Sequence, residues 1–560
     1  MRRHISGFLL IIGMLTFWQC ADNKQSIKQS SPNILLVIID DLGYSDLGCY
    51  GSEIDTKNID ALAEEGIQFN RFYASPNCSP SRAMLMTGMD HHQAGIGAMA
   101  TLMGPNQKGK RGYEGYLNNQ TVAFSELVKD KGYRTYYTGK WHLGKNETAN
   151  PNARGFVKAW WQVGGTPGSH FDLSPPNPRM KVPYYENDIP QQQIPDNFFS
   201  TDFYTQKIID YLEEDAHKDQ PFLGVLSYSA VHLPVHCPES HIDLYKGKYK
   251  EGYEALRLAR LQKQKELGIT AQNVNLPNLP PNASPWEELT KAEKLVHARR
   301  MEVYAGMVDN MDDNVGKLVA YLKKTQQYDN TLIFLMSDNG GAGFNGYQSK
   351  GGKKGYELAD NSIGNLGRKG SKYFIGAGWG SAISTPFRLF KRHISEGGLR
   401  IPMIISGGYL NSIPSSKSKY RTINPHVFTV RDIAPTIQEI VGVEYPTKTY
   451  KDRELLPQTG KSFAKVIRET PTFSIHPKEE IFGWELFKRK AVQKNDWKIL
   501  WIEPDFGKGN WELFNLKEDP SELNDLAEKY PDKLKEMINA WEQYQQDNNV
   551  IISNGELFFP

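Results

Sequence analysis

The chain has 560 residues. At about 100–200 residues per domain this allows roughly two to four domains, or one large α/β domain with an appendage. Lys and Arg total 66 against 64 Asp and Glu, a net charge of +2, which gives no footing for nucleic acid or an anionic membrane surface as the main partner. A hydrophobic fraction of 39% excludes a wholly disordered chain, and four cysteines exclude a disulfide scaffold.

In chain order, Arg2 and Arg3 lead an apolar run from Gly7 to Trp18, short for a membrane span and suited to an export signal. Cys20 and the polar stretch 21–31 follow, an order that resembles a bacterial lipoprotein signal with Cys20 lipidated. Phe17 and Gln19 stand where that motif favours Leu and a small residue, and the alternative is a plain secretory signal. The expectation is residues 1–19 as signal, 20–31 as tether, and a protein exported to the periplasm, or to the outer membrane or cell surface as a lipoprotein.

From Asn33 onward strands and helices alternate. Ile34–Ile39, Phe222–Ser227, Thr331–Met336 and Ile401–Ser406 read as buried strands, and Arg134–Thr138 as another. Lys57–Glu65, Thr121–Lys131 and Glu287–Lys324 read as helices, and Tyr249–Leu267 as a solvated one. The pattern predicts a large, mostly parallel sheet flanked by helices over residues 32–450. The Gly-, Lys- and aromatic-rich stretch Gly340–Gly380 is too long for a simple connection and is expected to face substrate. From about residue 451 to 560 a smaller α+β domain is expected. Four short strands, Glu480–Phe487, Lys490–Gln493, Trp497–Ile502 and Trp511–Leu516, would form an antiparallel sheet, and Leu523–Gln546 a helix.

Chemistry collects at strand ends. Asp40-Asp41 closes the first strand, Gly139-Lys140-Trp141-His142 follows another, His232 comes after Phe222–Ser227, and Asp338-Asn339 follows Thr331–Met336. In a parallel sheet these ends share one edge, where ligands bind. Three carboxylates and a carboxamide on one edge repel unless a cation joins them, and a hard divalent ion, Ca²⁺ or Mg²⁺, suits oxygen donors. Taken singly, each pair could equally cap a turn. Cys78-Ser79-Pro80-Ser81-Arg82 places Cys78 at or just before a helix N-terminus, where amide groups favour negative charge.

Cys-x-Pro-x-Arg is a specific pattern. With Ala74–Gly88, Asp40–Gly48, Thr138–Gly144, Ser229–Pro238, Phe334–Gly341, Thr385–Pro402 and Gly483–Lys498, the chain resembles the type I sulfatases, most closely the bacterial arylsulfatases. The resemblance implies an alkaline-phosphatase-like fold and hydrolysis of aryl or carbohydrate monosulfate esters. It implies that a maturation enzyme oxidises Cys78 to formylglycine, whose hydrate attacks sulfur. Asp40, Asp41, Asp338, Asn339 and the matured residue 78 would hold one Ca²⁺ ion. Lys140 and Lys391 match sulfate-binding lysines, Arg82 the arginine that holds the hydrate, His232 the histidine near the leaving oxygen, and His142 the histidine that helps release sulfate. Asp338 is also placed to accept the attacking hydroxyl's proton. His91 and His92 read as loop residues near the site.

The sequence also admits two other readings. A phosphonate monoester or phosphodiester hydrolase would use the same groups, and a non-catalytic surface glycan-binding protein would keep the fold with Cys78 unmodified. Cys49 and Cys237 are free or paired.

Overall fold

The computed structural model describes residues 31–165, 168–174, 184–344, 350–413, 422–469 and 472–556, without the side chains of 350–352. The expected signal, Cys20 and nearly all of the tether lie outside these residues, as do 345–349 of the Gly-rich stretch.

Eleven strands form the main sheet: β1 (Asn33–Ile39), β2 (Ile67–Tyr73), β3 (Arg134–Lys140), β4 (Lys158–Gln162), β5 (Tyr184–Glu186), β6 (Ile189–Gln191), β7 (Phe222–Ser227), β8 (Thr331–Ser337), β9 (Arg400–Ser406), β10 (Thr422–Asn424) and β11 (Phe428–Thr429). Their order is β10-β2-β9-β8-β1-β7-β3-β4-β5-β6, with β11 also on β2. β1 is central and buried along its whole length. Leu35, Val37 and Ile39 point into one apolar cluster, and Ile34, Leu36 and Ile38 into the other, as a two-residue period requires. Burying each such side chain contributes about 1.5–3 kcal/mol, which is why so continuous an apolar run lies at the centre.

The sheet is mostly parallel, as expected, but mixed toward both sides, with β5 antiparallel to β4 and to β6 at one end and β9 antiparallel to its neighbours at the other. β1, β3, β4, β7 and β8 run parallel, but β9 pairs antiparallel with both β8 and β2. The reversal matters for the site. The end of β8, the start of β9 and the end of β2 fall on one edge, with Tyr73 paired to Arg400. Segments preceding β9 and following β2 therefore meet those following β1, β3, β7 and β8.

The helix Gly252–Glu266 is not simply solvated. Its Arg260 is buried and donates to Asp46 at 2.7 Å and Glu53 at 2.8 Å. The helix predicted over 121–131 begins at Phe124, and the last helix begins at Pro531 rather than near Leu523. Glu287–Lys324 resolves into one short turn, Trp286–Glu288, and a single helix, Lys291–Lys324, started by a capping box of Thr290 and Glu293.

Near the C-terminus, a hairpin of β12 (Thr449–Tyr450) and β13 (Arg453–Glu454) precedes a four-stranded antiparallel meander. Its strands are β14 (Ile481–Leu486), β15 (Arg489–Lys494), β16 (Trp497–Trp501) and β17 (Glu512–Asn515). One face packs Trp484, Leu500 and Phe514 against Tyr73, Leu389 and Ile394; the other packs Val492, Ile499 and Leu513 against Met537, Trp541 and Tyr544 of the helix Pro531–Asp547. Cys49, Cys78 and Cys237 are all free thiols.

Candidate active site

Register sets the acidic residues level. Ile39 pairs with Ser337, so Asp40-Asp41 and Asp338-Asn339 leave adjacent strands together. Asp41 takes a left-handed turn (φ 67°), and its amide donates to Asp338 Oδ1 at 3.4 Å. Asn339 Nδ2 donates to Asp41 Oδ1 at 2.8 Å. A Cβ at Gly340 would collide with the carbonyl oxygen of Gly397, so glycine lets the Lys391 segment close over this edge.

Cys78 opens the helix Cys78–Thr87. Asn77 is its N-cap, accepting from the Cys78 amide at 3.0 Å and facing Cys78 Sγ at 3.4 Å. The ligand atoms of Asp40, Asp41, Cys78 and His232 lie within 4.8 Å of one another.

Cations surround this group. Lys140 Nζ donates to Asp40 Oδ2 at 2.5 Å. Lys391 Nζ donates to Asp41 Oδ1 at 2.5 Å and to Cys78 Sγ at 3.2 Å. Arg82, one turn beyond Cys78, donates through Nε to Asp338 Oδ2 at 2.7 Å and through Nη1 to the Lys140 carbonyl and Ser227 Oγ. His232 Nε2 stands 3.6 Å from Asp41 Oδ2, and its Nδ1 is bonded to the Leu233 carbonyl. His142 sits on a left-handed turn (φ 62°), its ring against Gly165.

Electrostatics follow from burial among mixed charges. Burial pushes the Cys78 thiol up to about 12, overriding Lys140 and Lys391. Burial, reinforced by Asp40, lifts Asp338 to about 6 against the pull of Arg82. Burial opposes charge on Asp41 too, but Lys391, His232 and Lys140 override it and hold this carboxyl below its ordinary range. Desolvation opposes charge on Lys391, but Asp41, with Cys78, Asp40 and Asp338, together override it and raise its pKa. Desolvation drives His232 down to about 3, and His142 well below its ordinary value with Lys140 and Arg82 adding to the effect. Both shifts favour the uncharged imidazole.

Asp40 Oδ1, Asp41 Oδ2 and Asn339 Oδ1 are buried and have no hydrogen-bond partner. An orphaned buried oxygen is costly. Asp40 and Asp41 lie in one cluster and Asn339 is hydrogen-bonded to Asp41, so hard donors of this kind fit a hard divalent cation. Asp338 is the less free member, since both of its oxygens already accept hydrogen bonds.

Every residue singled out in the sequence, Asp40, Asp41, Cys78, Arg82, Lys140, His142, His232, Asp338, Asn339 and Lys391, thus gathers at one edge. His91 and His92 are buried and make contacts with other residues. His91 Nδ1 bonds the Ile96 carbonyl, and His92 sits between Asp90 at 2.8 Å and Glu485 of β14 at 3.4 Å. Two contributors went unnoticed in the sequence. Asn77 carries an N-cap signal, being an Asn just before a helix. Ser227, which anchors Arg82, carries none beyond closing a strand.

The sulfatase family profile matches residues 32–443, and the chain belongs to the sulfatase family. An uncharacterized sulfatase of Schizosaccharomyces pombe is 37% identical over 545 residues, spanning 95% of this chain and 96% of that protein. An arylsulfatase of Klebsiella aerogenes is 34% identical over 449 residues, spanning 80% and 94%. Among solved structures, Ps i-CgsB in complex with k-i-k-neocarrahexaose matches with a TM-score of 0.63 at 24% identity, over 94% of this chain and 95% of that one. The shared fold is the alkaline-phosphatase-like one.

Proposed function

We propose that this protein is an exported sulfuric ester hydrolase of arylsulfatase type, acting on monosulfate esters of aryl or carbohydrate compounds. One observation carries the reading: carboxylate oxygens of Asp40 and Asp41 lie within 4.8 Å of a helix-terminal Cys78 that Lys391 touches, and each of these two carboxylates keeps one buried oxygen without a partner. Asp40, Asp41, Asp338 and Asn339 would hold Ca²⁺, with residue 78 completing the set. The bound cation would supply positive charge that acidifies a coordinated hydroxyl and stabilises developing negative charge. The Cys78 thiol, pushed up to about 12, is protonated at neutral pH and is no thiolate nucleophile. Membership of the sulfatase family and the Cys-x-Pro-x-Arg motif support its oxidation to formylglycine by a maturation enzyme, giving a hydroxyl nucleophile on hydration.

The chain's own groups divide the work. Lys140 and Lys391 neutralise the sulfate, and Arg82 keeps Asp338 aligned with the nucleophile. The departing oxygen needs a proton. Lys391, with its raised pKa, holds one, whereas His232 at about 3 is neutral and passes a proton only after taking one. Neutral His142 is suited to act as a base when sulfate is released.

The test is turnover of a chromogenic aryl sulfate by matured protein. Loss in Cys78→Ala is expected, and an unchanged rate contradicts the mechanism. Lys140, Lys391 and Arg82 would also attract a phosphate, so an aryl phosphodiester is assayed alongside; faster cleavage of that ester would favour the phosphonate or phosphodiester hydrolase instead. The lipoprotein-like signal supports export, and mass spectrometry of the mature N-terminus checks for an acylated Cys20.

A further inference from the structure

Lys391 lies in a segment whose backbone is held in an uncommon shape. Leu389 (φ 59°) and Arg392 (φ 75°) bracket it, and both are left-handed although neither is glycine. Such conformations are costly for residues with a Cβ and persist where surrounding contacts fix them. On one side the fixing contacts come from the site itself: the Lys391 amide donates to the Gly341 carbonyl at 3.0 Å, and the Arg392 amide to the Pro76 carbonyl at 2.8 Å.

On the other side they come from the C-terminal sheet and the residues after it. Arg489, the first residue of β15, donates through Nη1 to the Arg392 carbonyl at 2.7 Å. Its fork is itself seated on Glu503, with Nε contacts of 3.0 and 3.1 Å, and it is 2% exposed. Ser521 Oγ donates to the Pro386 carbonyl at 2.9 Å, Arg388 reaches Glu512 at 3.2 Å, and Lys498 bridges Glu396 at 2.8 Å and Glu522 at 2.7 Å. Trp484 of β14 donates to the Ala74 carbonyl, just ahead of Cys78, at 2.9 Å.

We propose that Arg489 is a positioning residue for Lys391, so that the C-terminal sheet is a working part of the sulfate-ester site. The inference rests on the role given to Lys391 above. Arg489 does not reach the reacting groups. It fixes the carbonyl of Arg392, the residue after Lys391, and through that residue the direction of the ammonium toward Asp41 and residue 78. A small misplacement of such a group is amplified in rate.

The experiment is a double-mutant cycle in matured enzyme: Arg489→Met, Lys391→Met and both together, assayed with an aryl sulfate, with folding followed by circular dichroism and thermal unfolding. Arg489→Met is expected to lower kcat/KM roughly 10- to 100-fold in the wild-type background. In the Lys391→Met background it is expected to change kcat/KM by no more than about two-fold, because the group it positions is gone. A purely structural role would lower both backgrounds alike, and that multiplicative outcome overturns the proposal, as does a near-wild-type rate in folded Arg489→Met. If Arg489→Met does not fold, Glu503→Gln, which loosens the same fork, enters the same cycle with the same criteria. A wild-type rate in Lys391→Met would overturn the reading of Lys391 and this inference with it; loss in Lys391→Met with multiplicative effects of Arg489→Met overturns this inference alone.

Discussion

At residue 78 three influences meet: a buried environment, the Lys391 ammonium 3.2 Å away, and the amide end of a helix capped by Asn77. Removing the Asn77 carboxamide should cost about 1 kcal/mol through the lost cap, so Asn77→Ala is expected to lower the urea midpoint. Arg82 is the more critical neighbour. It and Asp338 are both buried, each 2% exposed, and breaking such a pair costs about 3–5 kcal/mol because the remaining charge is stranded. Arg82→Ala should therefore show both a large loss of stability by urea unfolding and loss of aryl sulfate turnover; an unaltered midpoint would mean that Asp338 finds another partner. Much at this scale was legible beforehand, because charged and nucleophilic residues at strand ends stand out against apolar strands. What each charge touches was not. Nothing in the residues Leu-Ser at the end of β7 says that Ser227 will hold Arg82 at 2.6 Å.

Among elements, the strands easiest to read were those buried on both faces, β1, β7 and β8, since continuous Ile, Leu and Val admit little else. β2 was missed because Ile67–Tyr73 mixes Gln, Asn and Arg with aromatics and is only partly buried. The direction of β9 was unreadable for a different reason: a strand buried on both faces has the same composition whichever way it runs. A second contact between elements yields a pH prediction. His92, in the turn after the Cys78 helix, joins Asp90 to Glu485 of β14, with Tyr544 of the last helix also donating to Asp90. Burial alone would push His92 down, but Asp90 and then Glu485 lift it to about 9. The folded protein holds this proton more tightly than the unfolded chain, where histidine titrates near 6.5. The stabilisation is thus complete below about pH 6.5 and disappears as pH rises toward 9. Urea unfolding across that window should show stability falling with pH, and His92→Gln should flatten the fall; an identical slope in the variant would contradict the assignment.

Across the whole molecule, the sheet supplies one edge and the C-terminal meander closes over it. The antiparallel character of the meander was visible in the close spacing of its strands; its role against the Lys391 segment was not, because that depends on contacts between residues far apart in sequence, such as Trp484 with Ala74. Leu500 is fully buried between the meander and Leu389 and Ile394. Leu500→Ala should cost about 2–5 kcal/mol and lower the thermal midpoint, with activity falling further than in a destabilising change on the opposite face such as Ile499→Val.

In the proposed mechanism a divalent ion is shared by Asp40, Asp41, Asp338 and Asn339 beside residue 78. Titration calorimetry of dialysed protein with Ca²⁺ tests it most directly, without reliance on turnover. One ion per chain is predicted for the wild type, with binding abolished or greatly weakened when Asp41→Asn and Asn339→Ala are combined. Equal binding by the wild type and the variant, or no binding by either, would contradict it.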